Sequence, residues 1–160
     1  MIRLRLETFM AAPVDRCFDL ARSIDLHIAS TNWTGERAIA GVTSGLIGSG
    51  QDVTWEGRHF GLKLHHTSRI TVYDRPHHFQ DCMLRGRFKS FCHDHYFEPR
   101  AGGTTMRDEV EFAAPYGPMG WLVERALLKA HMTDLLERRN QAIKQAAEGD
   151  DWRAHIKSKS

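Results

Sequence analysis

Cysteine is scarce in this 160-residue chain. The three present, Cys17, Cys82 and Cys92, form an odd set with no C-x-x-C spacing, so neither a disulfide framework nor a cysteine-built metal centre is expected. Cys82 and Cys92 flank a hairpin and can face each other, but two small strand residues are the simpler reading. A reducing cytoplasm is the expected setting. Long apolar runs are missing too, and none approaches the ~18 residues that a membrane-spanning helix needs. Met1 to Glu7 alternates apolar and charged residues, a strand pattern without the apolar block of a signal peptide. Neither membrane insertion nor export is therefore expected.

No charge of one sign is in excess: 22 Lys+Arg stand against 20 Asp+Glu, scattered and not gathered into runs. A nucleic-acid partner is disfavoured, and the basic segment Arg153 to Lys159 reads as a solvated end. The glycine-rich stretch Gly41 to Gly50 lacks both a closing Lys-Ser/Thr and a following helix, so it is no phosphate loop. It reads as a wide strand connection at a cavity rim, where its flexibility can gate access. No Ser-His-Asp or Cys-His order stands out, and the G-x-S-x-G elbow is absent as a strand-to-helix turn.

What is present is periodicity. A strand over Ile2 to Met10 ends at Pro13, which is suited to the first turn of a helix. Val14, Cys17, Phe18 and Ala21 then recur at helical spacing. A second short helix follows over Asp25 to Ser30, with Ser23 as its candidate cap. From Glu36 the period is two, and turn signals divide the run into strands at Glu36 to Ala40, Gln51 to Phe60, Leu62 to Asp74, His77 to Leu84, Phe88 to Glu98 and Thr104 to Ala113. Pro115 to Pro118 is a helix-start signal, and an amphipathic helix runs from there through Leu122, Leu128, Met132, Leu135, Leu136 and Ile143 to Gly149. The expected organisation is one domain over residues 1–147 and a polar tail over 148–160, a length that buries roughly two-thirds of the unfolded surface.

This is an α+β plan in which a curved antiparallel sheet of about seven strands must bury its apolar face against the long C-terminal helix, with two short helices after the first strand. A sheet of that size twists and curls, leaving a pocket wherever inward side chains do not fill the space. The element order resembles the START and birch-pollen-allergen-like superfamily, also called the polyketide cyclase/dehydrase and lipid transport group, over Met1 to about Ala147. The segments Ser23 to His27, Val53 to Gly61, Arg69-Ile70, Arg75-Pro76 and the hairpin from Phe79 to Pro99 resemble one bacterial branch of it. The resemblance implies a helix-grip fold and a cavity between sheet and helix for a small hydrophobic or amphipathic ligand such as a lipid, an isoprenoid or a polyketide. It implies no obligatory cofactor. Fold alone does not carry activity.

Alternation assigns faces. Leu62, Leu64, Ile70 and Val72 carry His66 and Ser68 inward; Met106, Asp108, Val110 and Phe112 point in on the last strand; Phe91, His93, His95 and Phe97 do so before it; Phe79, Asp81 and Met83 match them. The result is an inward cluster of His66, Asp81, His93, His95 and Asp108, and buried charges require partners.

Three roles are open for that cluster: an internally satisfied polar network, a set of groups that orient ligand, or a metal site built on His93-x-His95 with His66 or an Asp. Trp33, Trp55, Phe60 and Trp121 supply apolar surface, with Trp55 suited to a cavity wall. Leu128, His131, Met132 and Leu135 on the long helix, with His27 in the helical elbow, complete the expected ligand-contacting set. Carriage of a ligand is the first functional reading. Acid-base catalysis of the cyclase or dehydratase kind, with His66, His95 and Asp108 as proton carriers, is the second. A protein-interaction module is the third, and it would need an exposed apolar patch.

Overall fold

The computed structural model describes residues 1–113 and 121–156, and of 121–125 only the backbone. The helix-start signal at Pro115 to Pro118 and the side chain of Trp121 lie outside the described residues.

Strand β1 (Ile2–Met10) is followed by helices α1 (Val14–Ala21) and α2 (Ile24–Ser30) and a single 3-10 turn at Asn32–Thr34. Six strands come next: β2 (Arg37–Gly41), β3 (Asp52–His59), β4 (Leu62–Asp74), β5 (His78–Arg85), β6 (Ser90–Arg100) and β7 (Gly103–Ala113). Helix α3 (Trp121–Glu148) and a short α4 (Trp152–His155) complete the order. Sequence and structure agree on the type of each expected element, and the strand ends move by at most two residues; the 3-10 turn and α4 were not expected.

The seven strands form one sheet in the order β1-β7-β6-β5-β4-β3-β2. Every pairing is antiparallel, and the first strand closes against the last, from Ile2 opposite Phe112 to Met10 opposite Thr104. Between β3 and β4 the turn is two residues long, Phe60 and Gly61, both at positive φ (52° and 75°), as the twist of a tight hairpin demands. Gly41 (φ 74°) is obligatory at the end of β2, since a Cβ there would collide with the Asp52 carbonyl oxygen.

The concave face packs against α3, α1 and α2 in two apolar clusters. The first gathers Phe18, Leu20 and Ile24 with Phe79, Phe97, Met106 and Ile143; the second gathers Ile2, Leu4, Val110 and Phe112 with Met132 and Leu136. Phe18 is fully buried and meets Tyr73, Phe79 and Phe97 edge-on at 5.3–5.6 Å, burial worth about 2–3 kcal/mol. Ser23 caps α2 as expected: its Oγ accepts from the Leu26 amide at 3.2 Å and donates to the His155 carbonyl at 3.0 Å. This is the helix-grip architecture, a curled sheet holding one long helix.

Three expectations need correction. Cys82 and Cys92 are joined by a disulfide, because they sit directly opposite each other on β5 and β6 with Cα atoms 4.2 Å apart. Their pairing removes the cysteine count as support for a reducing compartment. Val72 faces solvent, because the β4–β5 register shifts between Ile70 and Val72 and turns it off the inward set. Residues 152–156 are not simply solvated: Trp152 and Ile156 pack against the first cluster, and the Arg16 guanidinium lies over the Trp152 ring.

Candidate functional site: a cavity with a buried histidine-carboxylate floor

Between the concave face and α3 lies a cavity of about 450 Å³. Its walls are largely apolar: Val53, Trp55, Ile70 and Phe79 come from the sheet, and Leu128, Met132, Leu135 and Leu136 from α3. The stripe on α3 continues as Arg139, Asn140 and Ile143, so one helix face presents first grease and then two polar side chains to the sheet. Phe60, Leu62 and Leu127 also line the cavity and are exposed, which puts its mouth at the β3–β4 turn and the start of α3.

The floor is set by strand register. Asp81 on β5 lies opposite His93 on β6, and His95 lies opposite Asp108 on β7. The diagonals of this square are the bonded ones: His93 Nε2 is 2.8 Å from Asp108 Oδ1, and His95 Nε2 is 3.2 Å from Asp81 Oδ2. His95 Nδ1 is 2.9 Å from Asp108 Oδ1 but out of line for a hydrogen bond. Asn140 donates from Nδ2 to Asp108 Oδ2 at 2.7 Å, and Arg139 holds Nη1 3.7 Å from Asp108 Oδ1. Arg139 also donates to the Ala21 carbonyl, which ties α3 to α1.

Burial and partners oppose each other here. Burial raises the Asp108 carboxyl, but hydrogen bonding to His93 and the proximity of His95 outweigh it and hold the group well below its ordinary value. Burial likewise acts against ionised Asp81, yet His95, His93 and Arg139 bring it down to about 2. His93 is lowered to about 4, by burial and then by neighbouring His95. Burial also lowers His66, which meets Phe88 and Phe91 edge-on. The floor is thus a neutral His93 donating to an ionised Asp108, next to an ionised Asp81 that faces the cavity.

Two further polar pairs flank the walls. His27 stacks on Trp55 with ring centroids 4.1 Å apart, its Nε2 3.6 Å from Glu36 Oε2. Near the mouth, His59 Nδ1 and His131 Nε2 share a hydrogen bond at 3.0 Å, with Phe60 and Trp33 around His131.

Of the residues expected to touch ligand, His27, Trp55, His66, Ser68, Phe79, Asp81, Phe91, His93, His95, Leu128, His131, Met132 and Leu135 line this cavity. Three do not. Asp108 is wholly buried one layer behind His93 and His95. Val110 is packed inside the second cluster, where Phe112, Met132 and Leu136 leave it no free surface. Met83 sits past the polar floor on β5 with its sulfur turned to Gly86, where the chain leaves the sheet. Residues that the sequence reading passed over are Glu36, His59, Arg139 and Asn140. The last two carried a signal, since they interrupt the apolar α3 stripe at the i+3 and i+4 positions after Leu136.

By sequence, no protein-family model and no curated protein matches the chain. Solved structures do. The aromatase/cyclase Zhui from Streptomyces sp. R1128 superposes with a TM-score of 0.72 at 15% identity, covering 92% of this chain and 93% of that one. TTHA0849 from Thermus thermophilus gives 0.71 at 16% identity, over 91% and 99%. Ginseng major latex-like protein 151 from Panax ginseng gives 0.65 at 13% identity, over 92% and 98%. At such identities the likeness establishes the helix-grip fold that the chain shares with the birch-pollen-allergen-like and aromatase/cyclase structures. Among the described residues, no helix is long and apolar enough to cross a membrane.

Proposed function

We propose that the protein encloses one small amphipathic molecule, with its apolar body along Trp55, Leu128 and Met132 and its polar end at the Asp81–His95 pair. The observation that carries this reading is the cavity itself. At about 450 Å³ it falls in the range of roughly 300–1,000 Å³ typical of small-molecule sites, and its buried polar cluster, Asp81, His93 and His95, converges at one end of largely apolar walls, the usual division between affinity and orientation. A purely apolar ligand would cover the Asp81 carboxylate and leave only His95 to satisfy it, which disfavours binding. Native mass spectrometry of freshly purified protein tests the proposal. The expected result is a protein peak carrying an extra small-molecule mass that denaturation removes. Protein that carries no such mass and takes up no amphipathic probe overturns it.

A second reading, acid-base catalysis, is favoured by one specific contact, the Asp81–His95 pair at 3.2 Å on the cavity wall. A histidine beside a carboxylate can pass a proton near neutral pH, and the structural neighbour Zhui is an aromatase/cyclase. Incubating the extracted small molecule with the protein separates the two: a carrier returns it unchanged, whereas an enzyme converts it and His95→Gln does not.

A further inference from the structure

Asp81, His93 and His95 each offer one donor atom, and the three atoms lie within 4.8 Å of one another. They stand on neighbouring strands of a seven-stranded sheet, so the backbone fixes their separation more firmly than a loop would. Behind them Asp108 lies 2.8 Å from His93 Nε2 and 2.9 Å from His95 Nδ1. A carboxylate bonded to one ring nitrogen fixes the tautomer and leaves the other nitrogen as a lone-pair donor, the usual outer layer of a histidine metal centre, and Asp108 does this for His93; at His95 Nδ1 the contact is out of line and would have to straighten for an ion to bind. The nitrogens left over are His93 Nδ1 and His95 Nε2, and the second already lies 3.2 Å from Asp81 Oδ2.

His95 has carboxylate oxygens close to both of its ring nitrogens. One proton cannot serve both sides. With the proton on Nδ1, the Nε2 lone pair confronts an Asp81 oxygen, an unfavourable contact that a cation between them turns into two bonds. The local charges agree: at the cluster itself Asp81 and Asp108 bring two negatives and Arg139 one positive, an excess of one negative charge beside the donor atoms. We propose that Asp81, His93 and His95 form a two-histidine, one-carboxylate site for a divalent transition-metal ion of the Zn²⁺ or Fe²⁺ kind. Asp108 is its positioning carboxylate, and the free coordination positions open into the cavity. Such an ion would accept an oxygen donor from the polar end of the bound molecule, so its ligand class narrows to carboxylates, enolates or vicinal oxygens; that last step rests on the cavity reading above, whereas the metal site does not. The rival arrangement is a doubly protonated His95 that donates to both carboxylates and leaves no room for an ion.

The test is calorimetric titration of the full chain with Zn²⁺ and Co²⁺ after chelator treatment and dialysis. One equivalent is expected to bind, with a rise in melting temperature, and Asp81→Asn and His95→Gln are each expected to weaken binding at least tenfold. His78→Gln, on the convex face, leaves it unchanged. Should His95→Gln fail to fold, the wild type still decides: bound Co²⁺ must broaden the imidazole NMR signals of His93 and His95 before those of His59 and His131. Absence of stoichiometric binding, or binding that survives Asp81→Asn and broadens His59 and His131 instead, overturns the site. Uptake of 1-anilinonaphthalene-8-sulfonate measured on the same stripped sample keeps the two proposals apart, since a protein that binds this probe but no metal loses only the metal site.

Discussion

Asp108 on β7 and His93 on β6 hold each other at 2.8 Å, both shut away from solvent, and this bond anchors the wall from which the cavity's polar floor is built. Asn140 reaches down from α3 to the same carboxylate at 2.7 Å, so one side chain couples two strands and the helix that the sheet grips. Asp108→Ala would leave the buried His93 without an acceptor and Asn140 with only Thr8 Oγ1, at 3.4 Å. The expected cost is about 3–5 kcal/mol in a urea denaturation series. A loss below about 1 kcal/mol would show that the cluster is solvated and not structural.

Leu135 and Leu136 sit side by side on α3 with different tasks. Both line the cavity, but Leu136 is 2% exposed and locked into the second cluster, whereas Leu135 is only partly buried and belongs to neither cluster. Leu136→Asp would therefore bury an unpaired charge and cost several kcal/mol, enough to unfold a domain of ordinary stability. Leu135→Asp is expected to fold with a smaller loss and to bind an amphipathic probe at least tenfold more weakly. Equal melting temperatures for the two variants would place the helix in another phase.

Acid stability should report on Asp19, which is buried between Arg22 and Arg75 at 2.7 and 2.8 Å. Burial raises its carboxyl, but the two guanidiniums outweigh that and hold it below the ordinary 3.8. A depressed carboxyl stabilises fully above the unfolded value, and the contribution disappears as pH falls through the folded one. Wild-type stability should therefore drop more steeply below about pH 4 than that of Asp19→Asn, which starts lower and has no such limb. Parallel pH curves for the two proteins would show that the ion pair contributes nothing to stability.

Two glycines with similar φ should respond differently to alanine. Gly35 (φ 63°) has nothing within 4 Å of a Cβ, so only the left-handed backbone is penalised, by about 1–2 kcal/mol. Gly41 (φ 74°) would in addition drive a Cβ into the Asp52 carbonyl oxygen and break the β2–β3 edge. Gly41→Ala should lower the melting temperature well beyond Gly35→Ala, and the reverse order would contradict the β2–β3 register.

The fold was legible because period two persists over long stretches. On β7 the alternation of Arg107, Glu109 and Glu111 with Met106, Asp108, Val110 and Phe112 leaves one face for the core, and all four of the latter are buried. The same pattern placed His93 and His95 with Asp108. What it could not supply is depth. Alternation says that Asp108, Val110 and Met83 point inward, but not that helix α3 covers the first two with Asn140, Met132 and Leu136. Glu36 and Arg139 were missed because each is a charged residue judged by its own element, while its environment is made by another: His27 of α2 for Glu36, the Asp108 carboxylate of β7 for Arg139. The Cys82–Cys92 bridge depended on the β5–β6 register: alternation put both cysteines on the same face but could not say that they stand directly opposite each other.

The proposed function depends on the space between sheet and α3 being a binding cavity. The decisive titration is of 1-anilinonaphthalene-8-sulfonate into the wild type and into Leu64→Trp/Leu128→Trp, which fills that space from both walls. Saturable, one-to-one binding with blue-shifted emission is expected in the wild type, and binding at least tenfold weaker in a filled variant whose circular dichroism is unchanged. Equal affinity in the two folded proteins would contradict the cavity, because the probe would then be held somewhere else.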